Sequence, residues 1–199
     1  MDELQFLNPL SKEAEIKQLP GFPRLKPAYI LKINLGQILS IGKHSQGEPG
    51  LCMCGVSYLC RQETSTGSLT TADGYEHAVT GEVVYGADWL INDPDEKHAR
   101  PNLKLLIKTD DGIVLSSEYT GVAVFSEPIN RMWQGDPSVK TFPFGISTTV
   151  HSFSTGEPKY KHLEQKTFVG NGRFVIGENP RTICVESRIS EVIASCDGD

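Results

Sequence analysis

An all-β domain, a single antiparallel barrel, is the fold class this sequence predicts, and three observations predict it. Short runs in which apolar and polar residues alternate recur through most of the chain, which is the period of a half-buried strand. Gly, Pro, Asn and Asp punctuate about nine such runs at regular spacing, as in sandwiches and barrels. Glycines also fall inside the runs. Gly81 and Gly86 stand where a strand must kink or bulge as a sheet curls toward closure, since a residue without Cβ takes such conformations readily.

Residues 1–27 are polar and broken by Pro9, Pro20, Pro23 and Pro27, and read as an N-terminal arm. Ser11 opens half of a helix capping box, with Ala14 where Glu would complete it. The barrel domain then occupies 28–199. Its first strand, 28–35, puts Tyr29, Leu31, Ile33 and Leu35 on one face. A Gly/Pro/Ser-rich loop at 42–50 precedes a strand at 51–61, and a long polar loop follows at 62–74. Central strands at 77–85 and 103–108 come next. Asp111-Gly112 between apolar runs is a strong hairpin signal and joins 103–108 to a long strand at 113–125. Residues 126–145 carry three prolines, Met132, Trp133, Phe142 and Phe144, and predict a long aromatic lid loop, because polar loops seldom hold so many rings without covering something. Strands resume at 146–153, 167–169, 173–176 and 182–193, with Asn171-Gly172 as a hairpin signal between the middle pair. The only helical pattern after residue 20 is a turn at 158–163.

Composition bounds the partners. A chain of 199 residues supports one well-buried core, and 38% hydrophobic and 22% charged residues are near globular averages. No apolar run approaches the roughly 20 residues of a membrane helix, so no membrane partner is expected. The acidic opening lacks an export h-region, which predicts a cytoplasmic protein. A net charge of -6 argues against nucleic acid, whose phosphates need a basic face. A homo-oligomer stays open.

Five cysteines without an export signal predict free thiols, and neither Cys52, Cys54 and Cys60 nor the five histidines have the spacing of a metal site. Nucleotide-binding glycine motifs and the G-x-S-x-G elbow are absent as well, so the expected cofactors are none.

The stretch from Val79 to Gly112 gathers acids, an aromatic and glycines at strand ends. Asp88 reads either as a turn acid or as a cavity acid beside Lys104, and Lys104 either as an interior cation or as a solvated charge. His151 follows the lid and is either a satisfied strand histidine or a proton shuttle at neutral pH. Asp110 and Asp111 fit turn chemistry better than acid/base work. Trp89, Tyr119, Trp133 and Phe144 are the candidate walls for a bound molecule, though aromatics in strands more often pack a core.

At this point the residues carry a resemblance. Val79-Thr-Gly-Glu-Val-Val-Tyr-Gly-Ala-Asp-Trp89, Lys108-Thr-Asp-Asp-Gly112, and Phe153-Ser-Thr-Gly-Glu-Pro-Lys-Tyr160 with Phe168-Val-Gly170 resemble, in order and spacing, the domain of unknown function 3237 family, also called uncharacterised protein family 0311. The resemblance covers about residues 28–193. It implies a compact barrel with an interior pocket and, from eukaryotic members that look like natural-product accessory proteins, a cyclase or isomerase. Two departures stand out: Asn102-Leu-Lys104 where the family tends to carry Asp-x-Arg, and Ser147-Thr148 where it tends to carry Phe-Arg. They suggest Lys104 paired with Asp88 in place of an arginine-centred ion pair.

The resulting expectation is cofactor-independent isomerisation or cyclisation of an apolar small-molecule substrate, polyketide- or terpenoid-like, in the barrel interior. Asp88, Lys104 and His151 are the acid/base residues of that reading. A non-catalytic carrier using the same pocket, and a structural domain whose partner docks on the lid, are the alternatives.

Overall fold

The computed structural model describes residues 20–42, 53–57, 67–94, 97–178 and 180–195, with the backbone alone for 37–42 and 53–57. The strands are β1 (Arg24–Asn34), β2 (Gln37–Gly42), β3 (Met53–Ser57), β4 (Gly67–Thr71), β5 (Gly81–Asn92), β6 (His98–Arg100), β7 (Asn102–Thr109), β8 (Val114–Val124), β9 (Ser147–Ser154), β10 (Phe168–Glu178) and β11 (Arg181–Ile193). Among the described residues, one short α-helix, α1 (Glu127–Trp133), and a 3-10 helix at Pro158–Gln165 interrupt them.

All strand pairs are antiparallel, and the ladder closes: β4, β1, β11, β10, β9, β8, β7 and β5 form a ring that returns to β4. Closure leaves the ring no free edge, which is how an antiparallel sheet avoids pairing with other chains. The C-terminal half of β5 also carries β3 and then β2 outward, while β6 bridges β5 and β8 beside the start of β7. Alternation is clearest in β7, where Leu103, Leu105, Ile107 and Thr109 are buried and the residues between them exposed.

The Asp111-Gly112 hairpin forms as the sequence predicts. Gly112 takes φ +85°, its N–H donates to Thr109 O at 2.8 Å, and the Thr109 N–H donates to Ile113 O at 2.8 Å. Asp111 is a turn acid, accepting from Thr109 Oγ1 at 2.5 Å, from Tyr160 Oη at 3.0 Å and from Lys159. These donors, Lys159 first, hold its carboxyl well below the usual range.

Other expectations are corrected. The β5 bulge falls between Val83 and Tyr85, and neither Gly81 nor Gly86 forms it. Gly81 serves close approach, since a Cβ there would lie 2.6 Å from Lys108 O. The polar 62–74 segment contains β4, whose Leu69 is fully buried opposite Leu31. Asn171-Gly172 makes no hairpin: β10 runs straight through it, and the reversal comes after Glu178. Glycine suits the close pairing there, since a Cβ on Gly172 would lie 2.1 Å from Ser147 Oγ and oblige that hydroxyl to rotate away. The expected 158–163 turn is the 3-10 helix. The Ser11 helix start, Cys52, Cys60 and His44 lie outside the described residues.

The interior is divided. Toward the ends of the strands that meet the 109–113 hairpin and the 3-10 helix, Tyr29, Leu31, Ile107, Phe153, Leu163 and Phe168 form a packed core. At the opposite end, Ile129 and Met132 of α1 pack with Val139, Phe142, Ile146 and Ile176 into a second cluster that covers the barrel mouth. The predicted lid is therefore partly helical, started by Pro128 in its first turn and seated through Ile129 and Met132, three residues apart on one face.

Candidate functional site

Below this cap is an open-mouthed cavity of about 70 Å³. It is bounded by inward positions at the capped ends of the strands, among them Asp88 and Leu90 of β5, Tyr119 of β8, Phe174 of β10 and Val185 of β11, with Leu35 just past β1 and Ile129 and Trp133 of α1 above. Space arises because inward side chains here are small. Gly121 and Ala123 on β8, Ser147 on β9 and Gly172 on β10 stand where large residues stand lower down. A mostly apolar, largely preformed cavity with a few polar groups is the usual form of a small-molecule site.

Asp88 is the carboxyl of this cavity. The bulge above Val83 resets the alternation so that Gly86, Asp88 and Leu90 turn inward, opposite Leu105 and Leu103 of β7, while Tyr85, Ala87 and Trp89 turn out. Its Oδ1 accepts from the Asn102 N–H at 2.9 Å. Burial outweighs that hydrogen bond and pushes the carboxyl up to about 6. Such a group exchanges its proton near neutrality, which suits acid/base chemistry.

Tyr119 and Trp133 line the cavity with it. Trp133 packs edge-on against Phe174, centroids 5.4 Å apart, and Tyr119 lies against His151 at 4.9 Å. The remaining predicted residues lie elsewhere. Lys104 faces outward opposite Ala87, its side chain 60% exposed and 3.5 Å from Glu118, so the Asp88–Lys104 pair does not form. The reason is register: position 104 alternates with the buried 103 and 105. Trp89 is likewise on the outer face, 42% exposed. Phe144 stacks outside the cavity on the guanidinium of Arg173, at 4.4 Å.

His151 points into the barrel but lies at the boundary with the packed core, outside the cavity lining. Its Nε2 is 2.8 Å from Thr149 Oγ1 and 3.5 Å from Ser187 Oγ, and it fits only because Gly170 beside it has no Cβ. Burial pushes the imidazole down to about 3. It therefore stays neutral across the physiological range and does not supply the charge change expected of a shuttle at neutral pH.

Sequence reasoning missed the apolar wall: Leu35, Leu90, Phe125, Ile129, Phe174 and Val185. The signal available for most of them was inward phase, counted from the buried alternation of their own strands. Among the described residues no group of His, Cys, Asp and Glu is arranged to hold a metal, and no helix is long and apolar enough to cross a membrane.

Fold and site define a closed antiparallel barrel, solid at one end and hollow at the other. The chain belongs to the family described as protein of unknown function (DUF3237), whose model matches residues 23–192. Among solved structures it is similar to a conserved protein of unknown function from Rhodopseudomonas palustris, with TM-score 0.64 and 22% identity over 86% of this chain and 98% of that one. A beta-barrel like protein from Acinetobacter baumannii aligns with TM-score 0.60 and 22% identity, covering 88% and 99%. A structure described as an enzyme from Penicillium herquei aligns with TM-score 0.54 and 16% identity, covering 89% and 99%. At these identities the likeness is one of fold. No curated protein matches the chain.

Proposed function

We propose that the protein binds an apolar small molecule, a polyketide- or terpenoid-like natural product, in the capped cavity and rearranges it without a cofactor, by isomerisation or cyclisation. One observation carries this reading: a half-buried carboxyl, Asp88, poised near pH 6 in an enclosure lined mostly by apolar and aromatic side chains. The walls fix a reactive conformer and exclude water, and Asp88 takes a proton from one atom of the ligand and returns it to another. The Penicillium herquei structure described as an enzyme supplies a precedent for chemistry on this fold. The alternative is a carrier, which needs the walls and not the carboxyl.

The test is conversion of apolar metabolite extract followed by mass spectrometry. Wild type is expected to change the retention time of a compound at constant mass, Asp88→Asn to bind that compound and leave it unchanged, and Trp133→Ala to bind it weakly. A compound retained but never converted, by wild type and Asp88→Asn alike, establishes the carrier and removes the enzyme.

A further inference from the structure

The charge balance of the cavity narrows what it can hold. Arg173 is the basic residue among the lining positions, and its guanidinium is already engaged. Nε and Nη2 both donate to Glu186 Oε2, at 3.0 and 2.7 Å, and Phe144 covers its outer face. Glu186 is buried and takes Arg188 on its other oxygen at 2.8 Å, so two guanidiniums share one carboxylate in a structural network of β10 and β11. Asp88 differs. Among the described residues it has one hydrogen bond, on Oδ1, and no cation pairs with it. Around it Tyr119, Phe125, Trp133 and Phe174 present aromatic rings, whose faces are electron-rich. Carboxylate and ring faces both favour positive charge, and the described lining cation, Arg173, turns its Nε and Nη2 to Glu186 rather than to Asp88.

We propose that the ligand is an apolar molecule bearing a positively charged nitrogen, held with that nitrogen toward Asp88 and its hydrocarbon part against Trp133 and Phe174. The proposal rests on the small-molecule reading above and specifies its substrate class. It also removes a difficulty in the chemistry. If Asp88 took a proton from carbon beside a neutral carbonyl, an enolate would form, and among the described lining residues the cation that could face it is Arg173, whose Nε and Nη2 already donate to Glu186. From a β,γ-unsaturated iminium ion the same abstraction is neutralising. The C–H bond breaks, its proton goes to Asp88, its electron pair forms a new C=C bond, and the C=N π pair moves onto nitrogen, giving a neutral dienamine. Return of the proton to the γ carbon restores the iminium charge and the carboxylate, with the double bond moved into conjugation.

Three probes with one aryl-alkyl skeleton test the charge preference: a quaternary ammonium, its uncharged carbon isostere and the matching carboxylate. Binding is read at pH 8 by quenching of Trp133 in a Trp89→Phe background, since Trp89 is the other of the two tryptophans and lies outside the cavity. The ammonium is expected to bind about 10-fold or more tighter than the isostere, and the carboxylate least well. In Asp88→Asn, with its fold checked by circular dichroism, the isostere should bind as before and the ammonium preference should fall to the few-fold or less that the ring faces alone supply. A carboxylate bound as tightly as the ammonium, or a preference that survives undiminished in Asp88→Asn, overturns the proposal while leaving the cavity reading intact. If none of the three quenches Trp133 or shifts thermal unfolding, the small-molecule reading falls and this proposal with it.

Discussion

The two ends of the barrel are built from the same alternating strands and filled in opposite ways. At the hairpin end, Tyr29 contacts Tyr75, Phe153 and Phe168 at ring distances of 5.2, 5.8 and 5.8 Å, and Tyr160 and Leu163 of the 3-10 helix close the floor. At the α1 end the inward positions of β8 to β10 shrink to Gly, Ala and Ser, and space remains. An eight-stranded ring is about wide enough either to be filled by side chains or to hold one small ligand. This molecule does both. Barrel geometry therefore permits a cavity, and side-chain size at a few inward positions places it.

The comparison breaks first at Phe168, which is fully buried between Tyr29 and Phe153. Phe168→Ala should cost about 3–5 kcal/mol in urea unfolding, whereas Trp133→Ala, on the half-buried cavity wall, should cost about 1 kcal/mol and act on ligand affinity. Equal losses would mean that the two ends are packed alike. The boundary between them is tested at Gly170, where a Cβ would lie 2.4 Å from His151 Nε2 and 2.6 Å from Thr149 Oγ1 and Ser187 Oγ. Gly170→Ala should destabilise by about 1–3 kcal/mol through overpacking, and a neutral result would show that the floor yields.

Two carboxyls then sharpen the contrast through pH. Glu191, at the solid end, is 5% exposed and accepts from Tyr75 Oη and Lys166 Nζ, each at 2.5 Å. Burial raises its affinity for protons, but the donors outweigh burial and hold it below the ordinary range. Its contribution is present above the unfolded-state value and is lost as pH falls through the lower folded value. Glu191→Gln should cost about 1–3 kcal/mol at pH 7 and flatten part of the acid limb of the stability curve. Asp88, at the hollow end, has the opposite sign: raised to about 6, it is ionised in both states at pH 7 and destabilises the fold there, a penalty relieved as pH drops toward 4. After screening through the open cavity, Asp88→Asn should stabilise by about 1 kcal/mol at pH 7, and by less at pH 4. Smallest is Lys104→Met, which breaks only the exposed contact to Glu118 and should change stability by less than about 1 kcal/mol and probe binding not at all.

What the sequence determined by itself was local. Alternation in 103–108, the Asp-Gly turn and the aromatic content of 126–145 are properties of neighbouring residues, and each appears in the structure as strand, hairpin and cap. Asp88, Tyr119 and Trp133 could be named as cavity candidates because an acid or ring at a strand end or in a covering segment already carries its chemistry. Facing could not be read so simply. The β5 bulge reverses the phase between Val83 and Tyr85, so Asp88 turns in and Trp89 out, and cross-strand register sets Lys104 beside Glu118 rather than Asp88. Long-range pairing also turned Asn171-Gly172 from a plausible turn into the middle of β10, since neighbours on both sides supply its ladder bonds. Whether His151 titrates was likewise a tertiary matter, because imidazole keeps its ordinary value only where water reaches it, and Thr149, Gly170 and Ser187 come from three different strands to exclude it. Chemistry belongs to the residue; burial and partners belong to the closed ring.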